Sequence, residues 1–213
     1  MTFATDINLL HWEPNLLKDA SAVAQTLLSG TGTLSGTTFT IDAGSLSSAN
    51  VSDEYAIVIA DPIGGTFPIV SVNTSTTLTL SVLYDQLFPD EGDVEPFVSG
   101  SGSALGYTIR TFWPQRRVVS ELLLQAAGLR LDQAPLIQNP EALQRPCTLG
   151  ALHMIYTALA AAAAEPADQL IRAELYEKLY RRALKAAVVD LDLDGDGIID
   201  TTRRLGVLEL QRV

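Results

Sequence analysis

The spacing of apolar residues divides the chain into helical and extended parts. Toward both ends, apolar side chains recur three and four positions apart, which is the period of an amphipathic helix. In the last of these segments, the apolar stripe that contains Leu170, Ile171 and Leu175 is expected to face the core. The predicted helices cover residues 14–29, 114–127, 140–145, 147–164 and 167–189.

The middle of the chain has a different pattern. Residues 31–110 are rich in Thr, Ser, Gly, Val and Ile and form short runs that alternate in polarity or are β-branched. Turn sequences such as Ile63-Gly64-Gly65 separate the runs, which favours a small antiparallel sheet or barrel. The predicted strands cover residues 37–41, 55–59, 66–72, 76–82 and 105–109.

Together these elements predict an α+β protein. Residues 1–30 and 111–189 are expected to form a helical bundle, with residues 31–110 inserted after the first helix as a small antiparallel β module, either a sheet or a barrel. Residues 190–213 are expected to form an acidic loop followed by an extended C-terminal docking strand.

Composition narrows the class of protein. Of the 213 residues, 47% are hydrophobic and 18% are charged, so the chain can bury a core of its own. No apolar run approaches the roughly 18 residues that a membrane-spanning helix needs, and residues 1–6 lack the features of a signal peptide. Cys147 is the single cysteine, so an intrachain disulfide is impossible. We therefore expect folding in a reducing cytoplasm and no membrane partner.

Charge is distributed unevenly along the chain. Residues 1–109 contain one basic residue, Lys18, against twelve acidic residues, whereas residues 110–189 contain ten basic and seven acidic residues. The total formal charge is −11, which argues against a protein that binds nucleic acid by neutralising phosphates. It leaves open a surface that repels DNA, as the wall of a DNA channel would.

The densest group of acidic residues begins at residue 190. An EF-type calcium loop has oxygen ligands at positions one, three, five, seven and nine and a glycine at position six. Counted from Asp192, Gly197 takes position six, and Ile199 takes position eight, where an apolar anchor is expected. The predicted calcium ligands are the side chains of Asp192, Asp194, Asp196 and Asp200 and the carbonyl oxygen of Ile198.

The loop departs from the calcium pattern at position twelve. Arg203 stands there in place of the bidentate Glu, so we expect a weak, structural calcium site that water or another acid such as Asp190 completes. The alternative is an acidic, glycine-rich turn between a helix and a strand. Both interpretations predict a folded junction and not an active site.

The C-terminal segment alternates in polarity, which suits an extended strand. It has no obvious partner within the predicted bundle, so it is a candidate for adding to the sheet of a neighbouring molecule. The alternatives are pairing within its own chain and fraying. The predicted partner-binding residues are Leu205, Val207, Leu208, Leu210 and Arg212.

The sequence does not indicate an enzyme. His11 and His153 are the only histidines, and no nucleophile elbow, phosphate-binding loop or zinc-protease motif occurs. Cys147 has no adjacent catalytic partner and is expected to be a core residue. We therefore predict a protein without catalytic activity.

Basic residues are concentrated on two predicted helices, at Arg116 and Arg117 and at Arg181, Arg182 and Lys185. They form a solvated face with nearby Glu partners, an ionic contact to the acidic face of an adjacent subunit, or, less favoured, a direct contact to DNA. Salt would weaken the second kind of contact.

Four sequence segments, taken together and in their order along the chain, indicate a resemblance to a protein family. They are the early helix at residues 13–19 leading into residues 28–38, the Ser- and Thr-rich β module, the helical sequences at residues 148–156 and 174–180, and residues 192–200 running into residues 203–210. In this order the chain resembles the head–tail connectors of tailed bacteriophages, the neck adaptors that dock below the portal ring. The resemblance extends over most of the chain.

The resemblance implies a structural virion protein that forms a homo-oligomeric, twelve-fold ring under the portal. Such a ring joins capsid to tail in the virion neck and lines the DNA exit channel, with DNA passing through the lumen without sequence-specific binding. The implied partners are the portal protein and a tail-side neck or tail-terminator protein. The C-terminal segment would dock into the portal or a neighbouring subunit, and the protein would be made in the host cytoplasm.

A function of a different class stays open beside this one. A calcium-dependent binding or surface-recognition module would have a ligand groove on the β module and a large metal-dependent gain in stability. The missing export signal and the missing Glu at position twelve favour the adaptor.

Overall fold

The computed structural model describes residues 2–83, 98 and 100–206. The chain is an α+β protein, as the sequence predicts, and it divides into two compact units. The barrel unit is Thr5–Phe112, and the helical unit consists of the preceding N-terminal residues and the chain from Trp113 onward. The barrel unit therefore starts well before residue 31, where the sequence places the start of the β module.

Two short helices, α1 (Asp6–Trp12) and α2 (Leu16–Asp19), begin the barrel unit. Its strands are β1 (Gln25–Ser35), β2 (Thr38–Ile41), β3 (Ala56–Ile59), β4 (Gly65–Val72), β5 (Thr77–Leu80) and β6 (Gly102–Thr111). They form a closed barrel in the order β1-β2-β5-β4-β3-β6, with antiparallel neighbours. The barrel closes because β6 pairs with β1 on one side and with β3 on the other. The predicted antiparallel β module is confirmed as a barrel.

Alternating side chains fill the barrel. In β2, Phe39 and Ile41 are buried while the threonines beside them are exposed, so the strand has one inward and one outward face. The rings of Phe39 and Tyr107 meet edge to face, with centroids 5.2 Å apart. Every strand contributes to the core, for example through Leu34, Phe39, Ile57, Ile69, Leu78 and Ile109.

The predicted helix over residues 14–29 is wrong beyond its first turn. Only α2 is helical there, and β1 begins at Gln25. Leu27 and Leu28 fit helical spacing, but β1 pairs with β6 from Gln25 to Leu34 and with β2 at its end. Hydrogen bonding to two neighbouring strands outweighs the local helical preference of these residues, because helix propensity is weak compared with tertiary interactions.

Three longer helices dominate the helical unit: α3 (Trp113–Ala126), α4 (Gln144–Ala162) and α5 (Ala167–Ala186). Two 3-10 helices, Leu131–Leu136 and Pro140–Leu143, connect α3 to α4. α4 packs against both α3 and α5, which explains why most of its N-terminal half is buried. These helices match the predicted segments, whereas their arrangement as a bundle stays a prediction. No helix in the described ranges is both long enough and apolar enough to cross a membrane.

α5 buries a different face from the one that its sequence predicts. Ala173 and Tyr176 are buried, and Tyr176 stacks on a tyrosine of α4. Leu170, Ile171 and Leu175, predicted to face the core, are 48%, 66% and 50% exposed, so that prediction is wrong. The contact with α4 uses a small and an aromatic residue, and the three apolar side chains remain on the surface. We call Leu170, Ile171 and Leu175 the α5 face.

The predicted basic pair on α3 is split between core and surface. Arg116 is fully buried, and its guanidinium donates to the Ala4 carbonyl and, at 3.3 Å, to the Thr2 hydroxyl. Arg116 thereby holds the N-terminal residues in the helical unit. Arg117 is exposed and pairs with Glu121 at 3.0 Å, which is the solvated arrangement that its spacing indicates.

A β-hairpin follows α5 in the helical unit. β7 (Val188–Leu191) and β8 (Thr201–Arg204) pair antiparallel and are joined by residues 192–200. The sequence predicts helix up to residue 189 and a strand only from residue 205, so it misses both strands. Their pairing depends on residues about a dozen positions apart, which helical spacing does not reveal.

Candidate metal centre

The hairpin holds the acidic loop in a fixed place. The Gln138 N–H donates to the Asp190 carbonyl at 2.9 Å. The Asn139 side chain donates to the Val188 carbonyl at 3.1 Å and accepts the Asp190 N–H at 2.8 Å. Asn139 precedes the 3-10 helix Pro140–Leu143, but its side chain makes no cap hydrogen bond there and instead docks the hairpin. The sequence carried no signal for this role.

Asp192 organises the loop through both of its carboxylate oxygens. Oδ1 accepts the Gly195 N–H at 2.6 Å, and Oδ2 accepts the Gly197 N–H at 2.8 Å. Both glycines have positive φ, at 80° and 85°, where a Cβ atom would be strained. Asp192 is only 3% exposed, so its carboxylate lies at the base of the loop.

Three aspartates bring carboxylate oxygens together at this base. One oxygen each from Asp192, Asp194 and Asp200 lies within 4.8 Å of the other two. Oδ2 of Asp200 accepts the Leu193 N–H at 2.6 Å and the Asp194 N–H at 3.3 Å, which ties the end of the loop to its beginning. Asp194 and Asp200 are exposed, so the group is open to solvent. We call these three residues the aspartate cluster.

The loop backbone stabilises the negative charge of Asp192. The Gly197 N–H is the main cause that lowers the pKa of the Asp192 carboxyl below its ordinary value. Burial acts in the opposite direction, and the Gly195 N–H adds to the lowering. Asp192 is therefore ionised at neutral pH, as a carboxylate must be to bind a cation.

The aspartate cluster is compatible with a weak calcium site. Calcium takes oxygen ligands at roughly 2.3–2.6 Å, so two ligands of one ion lie at most about 5 Å apart. The oxygens of the cluster meet that limit. Three carboxylates supply only part of the six to eight oxygens that calcium takes, so water or backbone carbonyls would have to complete the shell.

Asp196, another predicted ligand, is not part of the aspartate cluster, and the ligand predicted from Ile198 is its backbone carbonyl. Oδ1 of Asp196 accepts the Ile198 N–H at 2.8 Å, which forms a local turn at the tip of the loop. Both side chains are exposed. Their role as calcium ligands stays a prediction.

The calcium interpretation also involves Arg203, Asp190 and Ile199. Arg203, at position twelve, donates to the Ala127 carbonyl just after α3, where a cation also suits the helix C-terminus. Asp190, considered as a completing ligand, accepts the Thr202 hydroxyl at 2.7 Å across the hairpin. Ile199, expected as an apolar anchor, is 52% exposed, so that expectation is wrong.

The predicted docking strand is described only at its start. Leu205 is buried, and its N–H donates to the Ala187 carbonyl at 3.1 Å. This contact corresponds to the alternative of pairing within the chain. The other predicted docking residues lie outside the described residues: Val207, Leu208, Leu210 and Arg212.

Cys147 and His153, which were considered for catalysis, make structural contacts. His153 Nδ1 lies 3.0 Å from the Ala173 carbonyl and links α4 to α5. Cys147 is fully buried, with its sulfur 3.3 Å from the Ser120 hydroxyl. Burial raises the pKa of the Cys147 thiol, which lowers its reactivity. Cys147 is the core residue that the sequence predicts.

Comparison with known proteins does not identify the chain. No protein-family model, curated protein or solved structure matches it. A function must therefore be inferred from the sequence and from the geometry described above.

Proposed function

We propose that this chain is a structural virion protein, a head-to-tail adaptor of a tailed bacteriophage. A homo-oligomeric ring, twelve-fold in this proposal, lies under the portal, joins capsid to tail and lines the DNA exit channel. The three long helices act as a bundle in each subunit. The observation that carries the proposal is the α5 face, which exposes Leu170, Ile171 and Leu175 in the isolated chain.

An exposed apolar helix face favours assembly. Single exposed apolar residues are ordinary, but several on one helix are typical of a surface that another protein covers. Val118 and Leu122 of α3 are 42% and 48% exposed and lie one turn apart, so a second helix of the unit has the same property. Complete burial of one such side chain contributes on the order of 1.5–3 kcal/mol, and burial from half exposure contributes less.

The charge of the chain suits the wall of a DNA channel. Residues 5–112 contain two basic and twelve acidic residues, a formal net charge of −10. A duplex is repelled by such a surface, because binding to phosphates depends on Lys and Arg. This charge supports the passage of DNA without sequence-specific contact.

The proposed partners are the portal protein on the head side and a neck or tail-terminator protein on the tail side. The protein resides in the virion neck and has no catalytic role. Negative-stain imaging of the purified protein mixed with its portal protein tests the proposal. We expect extra, rotationally symmetric density at one end of the portal ring, whose symmetry gives the subunit number. Unchanged portal rings at high protein excess would contradict the adaptor function.

A calcium-dependent binding module is the second candidate, and the aspartate cluster is the observation that favours it. Calcium would stabilise residues 192–200, which would present a recognition surface. Calorimetric titration of chelator-treated protein with calcium chloride tests this function. Stoichiometric binding together with unchanged portal rings would favour it. Absence of binding up to about 10 mM calcium, above the range of the weakest extracellular modules, would exclude it.

A further inference from the structure

A groove of about 630 Å³ lies in the helical unit, lined by the start of α4, the second half of α5 and the start of β7. Its lining is mostly apolar and includes Pro146, Leu179 and Val188 together with several alanines. Among the residues that the structure describes, the charged ones in its lining are Arg145 and Arg182, and both are exposed. We call it the arginine groove.

Further basic residues lie next to the arginine groove. Arg181 and Lys185 flank Arg182 on α5, and Arg204 donates to the Lys185 carbonyl at 2.9 Å. Arg181 pairs with Glu177 at 2.6 Å, so that charge is partly offset within the helix. Apolar lining bordered by arginines favours an anionic protein surface, because guanidinium groups bind carboxylates in planar pairs while their stems cover apolar atoms.

The barrel unit of the same chain has the complementary charge. Its net charge of −10 comes from twelve acidic residues against Lys18 and Arg110. Among the barrel residues that the structure describes, the exposed aspartates are Asp19, Asp42, Asp53 and Asp61. Such a surface is attracted to the arginine groove of another molecule, and the attraction is strongest at low ionic strength.

We propose that the arginine groove receives the barrel unit of a second copy of this chain. The groove and the barrel surface differ, so the contact is heterologous, and each subunit offers its groove to one neighbour and its barrel to another. Heterologous contacts form a closed ring when the rotation per subunit closes, and open filaments when it does not. Closure into a ring rests on the proposed function, whereas the contact itself can be measured without the portal protein.

Sedimentation velocity of the full chain tests the contact. The wild type should associate at about 50 mM sodium chloride, and its dissociation constant should rise tenfold or more at about 0.5 M. The Debye length falls from about 14 Å to about 4 Å between these two concentrations. The groove variant, Arg145→Glu with Arg182→Glu, should be monomeric at the lower salt. Arg117→Glu with Arg130→Glu makes the same charge change at exposed residues away from the groove and should associate like the wild type.

A second pair of variants tests the occupant. The barrel variant replaces the four exposed aspartates by Asn and should also lose association. Its matched control removes four exposed charges from the helical unit, by amide substitution of Asp132, Glu165, Asp168 and Glu174, and should behave like the wild type. A mixture of the groove variant and the barrel variant should form dimers and nothing larger, because one intact contact remains. Circular dichroism confirms that each variant is folded.

Several outcomes would overturn this contact: a wild type that stays monomeric at low salt, a groove or barrel variant that associates like the wild type, or mixed variants that do not dimerise. Duplex DNA bound at the groove without self-association would identify nucleic acid as the occupant and also overturn it. Density on the portal ring from the groove variant would overturn the contact and leave the adaptor function intact. Salt-sensitive association without density on the portal would support the contact and contradict the adaptor.

Discussion

Gly197 donates its backbone N–H to Oδ2 of Asp192 at 2.8 Å, five residues back along the chain. Gly195 donates to the other oxygen at 2.6 Å, so the loop is folded around one carboxylate. A loop that already has its turns in place loses less conformational freedom when it binds an ion. The Asp192–Gly197 contact therefore favours a loop that is formed without calcium and stabilised by it.

Calcium should raise the melting temperature of the chelator-treated protein. An ion that binds only the folded state stabilises it by about 2.7 kcal/mol at a hundred times its dissociation constant. Asp194→Asn and Asp200→Asn should each remove most of this shift, because each deletes a carboxylate of the aspartate cluster. Differential scanning calorimetry with and without calcium chloride measures the effect.

Asp196→Asn is the matched control for the calcium experiment. Asp196 lies in the same exposed loop but outside the aspartate cluster, so this variant should keep the calcium shift. If it loses the shift as completely as Asp200→Asn, the ligand set derived from the sequence is right and the cluster is not the site.

The acidic loop shows which features of the site are local. The alternation of Asp and Gly identifies the loop from sequence because its turns involve residues two to five positions apart. The association of Asp200 with Leu193 and Asp194 spans the loop, and the docking of the hairpin by Asn139 spans about fifty residues. Neither relationship leaves a pattern in a single sequence, so the sequence predicts the three aspartates as ligands but not which predicted ligands meet or what supports them.

The same distinction explains the fold predictions. Alternation in β2 and helical spacing in α3 and α4 are local, and both were predicted correctly. The first part of β1, residues 25–29, was predicted as helix because the identity of this strand depends on pairing with β6, about eighty residues away. The α5 face was predicted as buried because spacing reveals an apolar side but not the partner that covers it.

Gly32→Ala should destabilise the barrel. An added Cβ would lie 2.6 Å from the Thr40 carbonyl oxygen and 2.6 Å from the Phe39 ring. The backbone oxygen belongs to the β1–β2 pairing and cannot move without breaking it, so a loss of about 1–3 kcal/mol is expected. Hydrogen exchange of the barrel amides in urea measures the loss.

Gly30→Ala on the same strand is the control for Gly32→Ala. Its Cβ would meet the Tyr107 ring at 3.5 Å, an ordinary van der Waals distance. The change in stability should stay within about 0.5 kcal/mol, as for most substitutions away from a steric conflict. If Gly30→Ala and Gly32→Ala lower the stability equally, the close contacts at residue 32 are not the reason that a glycine is needed there.

Gly150→Ala should destabilise the helical unit, although Ala favours helices. The new Cβ would lie 2.7 Å from Val119 Cγ1 of α3 and 3.1 Å from the Tyr180 ring of α5. Overpacking typically costs about 1–3 kcal/mol, more than the roughly 1 kcal/mol gained in helix propensity. Adding Val119→Ala should restore part of the stability, with a coupling of about 0.5 kcal/mol or more in a double-mutant cycle. A purely stabilising Gly150→Ala would contradict this packing.

Stability should fall at alkaline pH through Cys147. Burial raises the pKa of this thiol above its ordinary value of about 8.5, so the neutral form is favoured in the folded state. That contribution is fully present below the unfolded pKa and is lost as pH rises through the folded pKa. The free energy of unfolding of the wild type, measured in urea, should therefore fall from about pH 8 upward relative to that of Cys147→Ala, which has no thiol to titrate. Parallel pH profiles of the two proteins would rule this contribution out.

The α5 face should matter for assembly and not for folding. Leu170→Gln, Ile171→Gln and Leu175→Gln together should change the stability of the isolated chain by no more than about 0.5 kcal/mol each, because all three side chains are at least 48% exposed. The same triple variant should lose its density on the portal ring in negative-stain images, because the apolar area available to a partner is removed.

Glu174→Gln with Lys178→Gln alters the same exposed side of the helix without changing its apolar area or its net charge, and should still add density to the ring. If the triple variant unfolds, the α5 face belongs to the core. If the triple variant adds density to the portal ring like the wild type, the α5 face no longer supports the adaptor function.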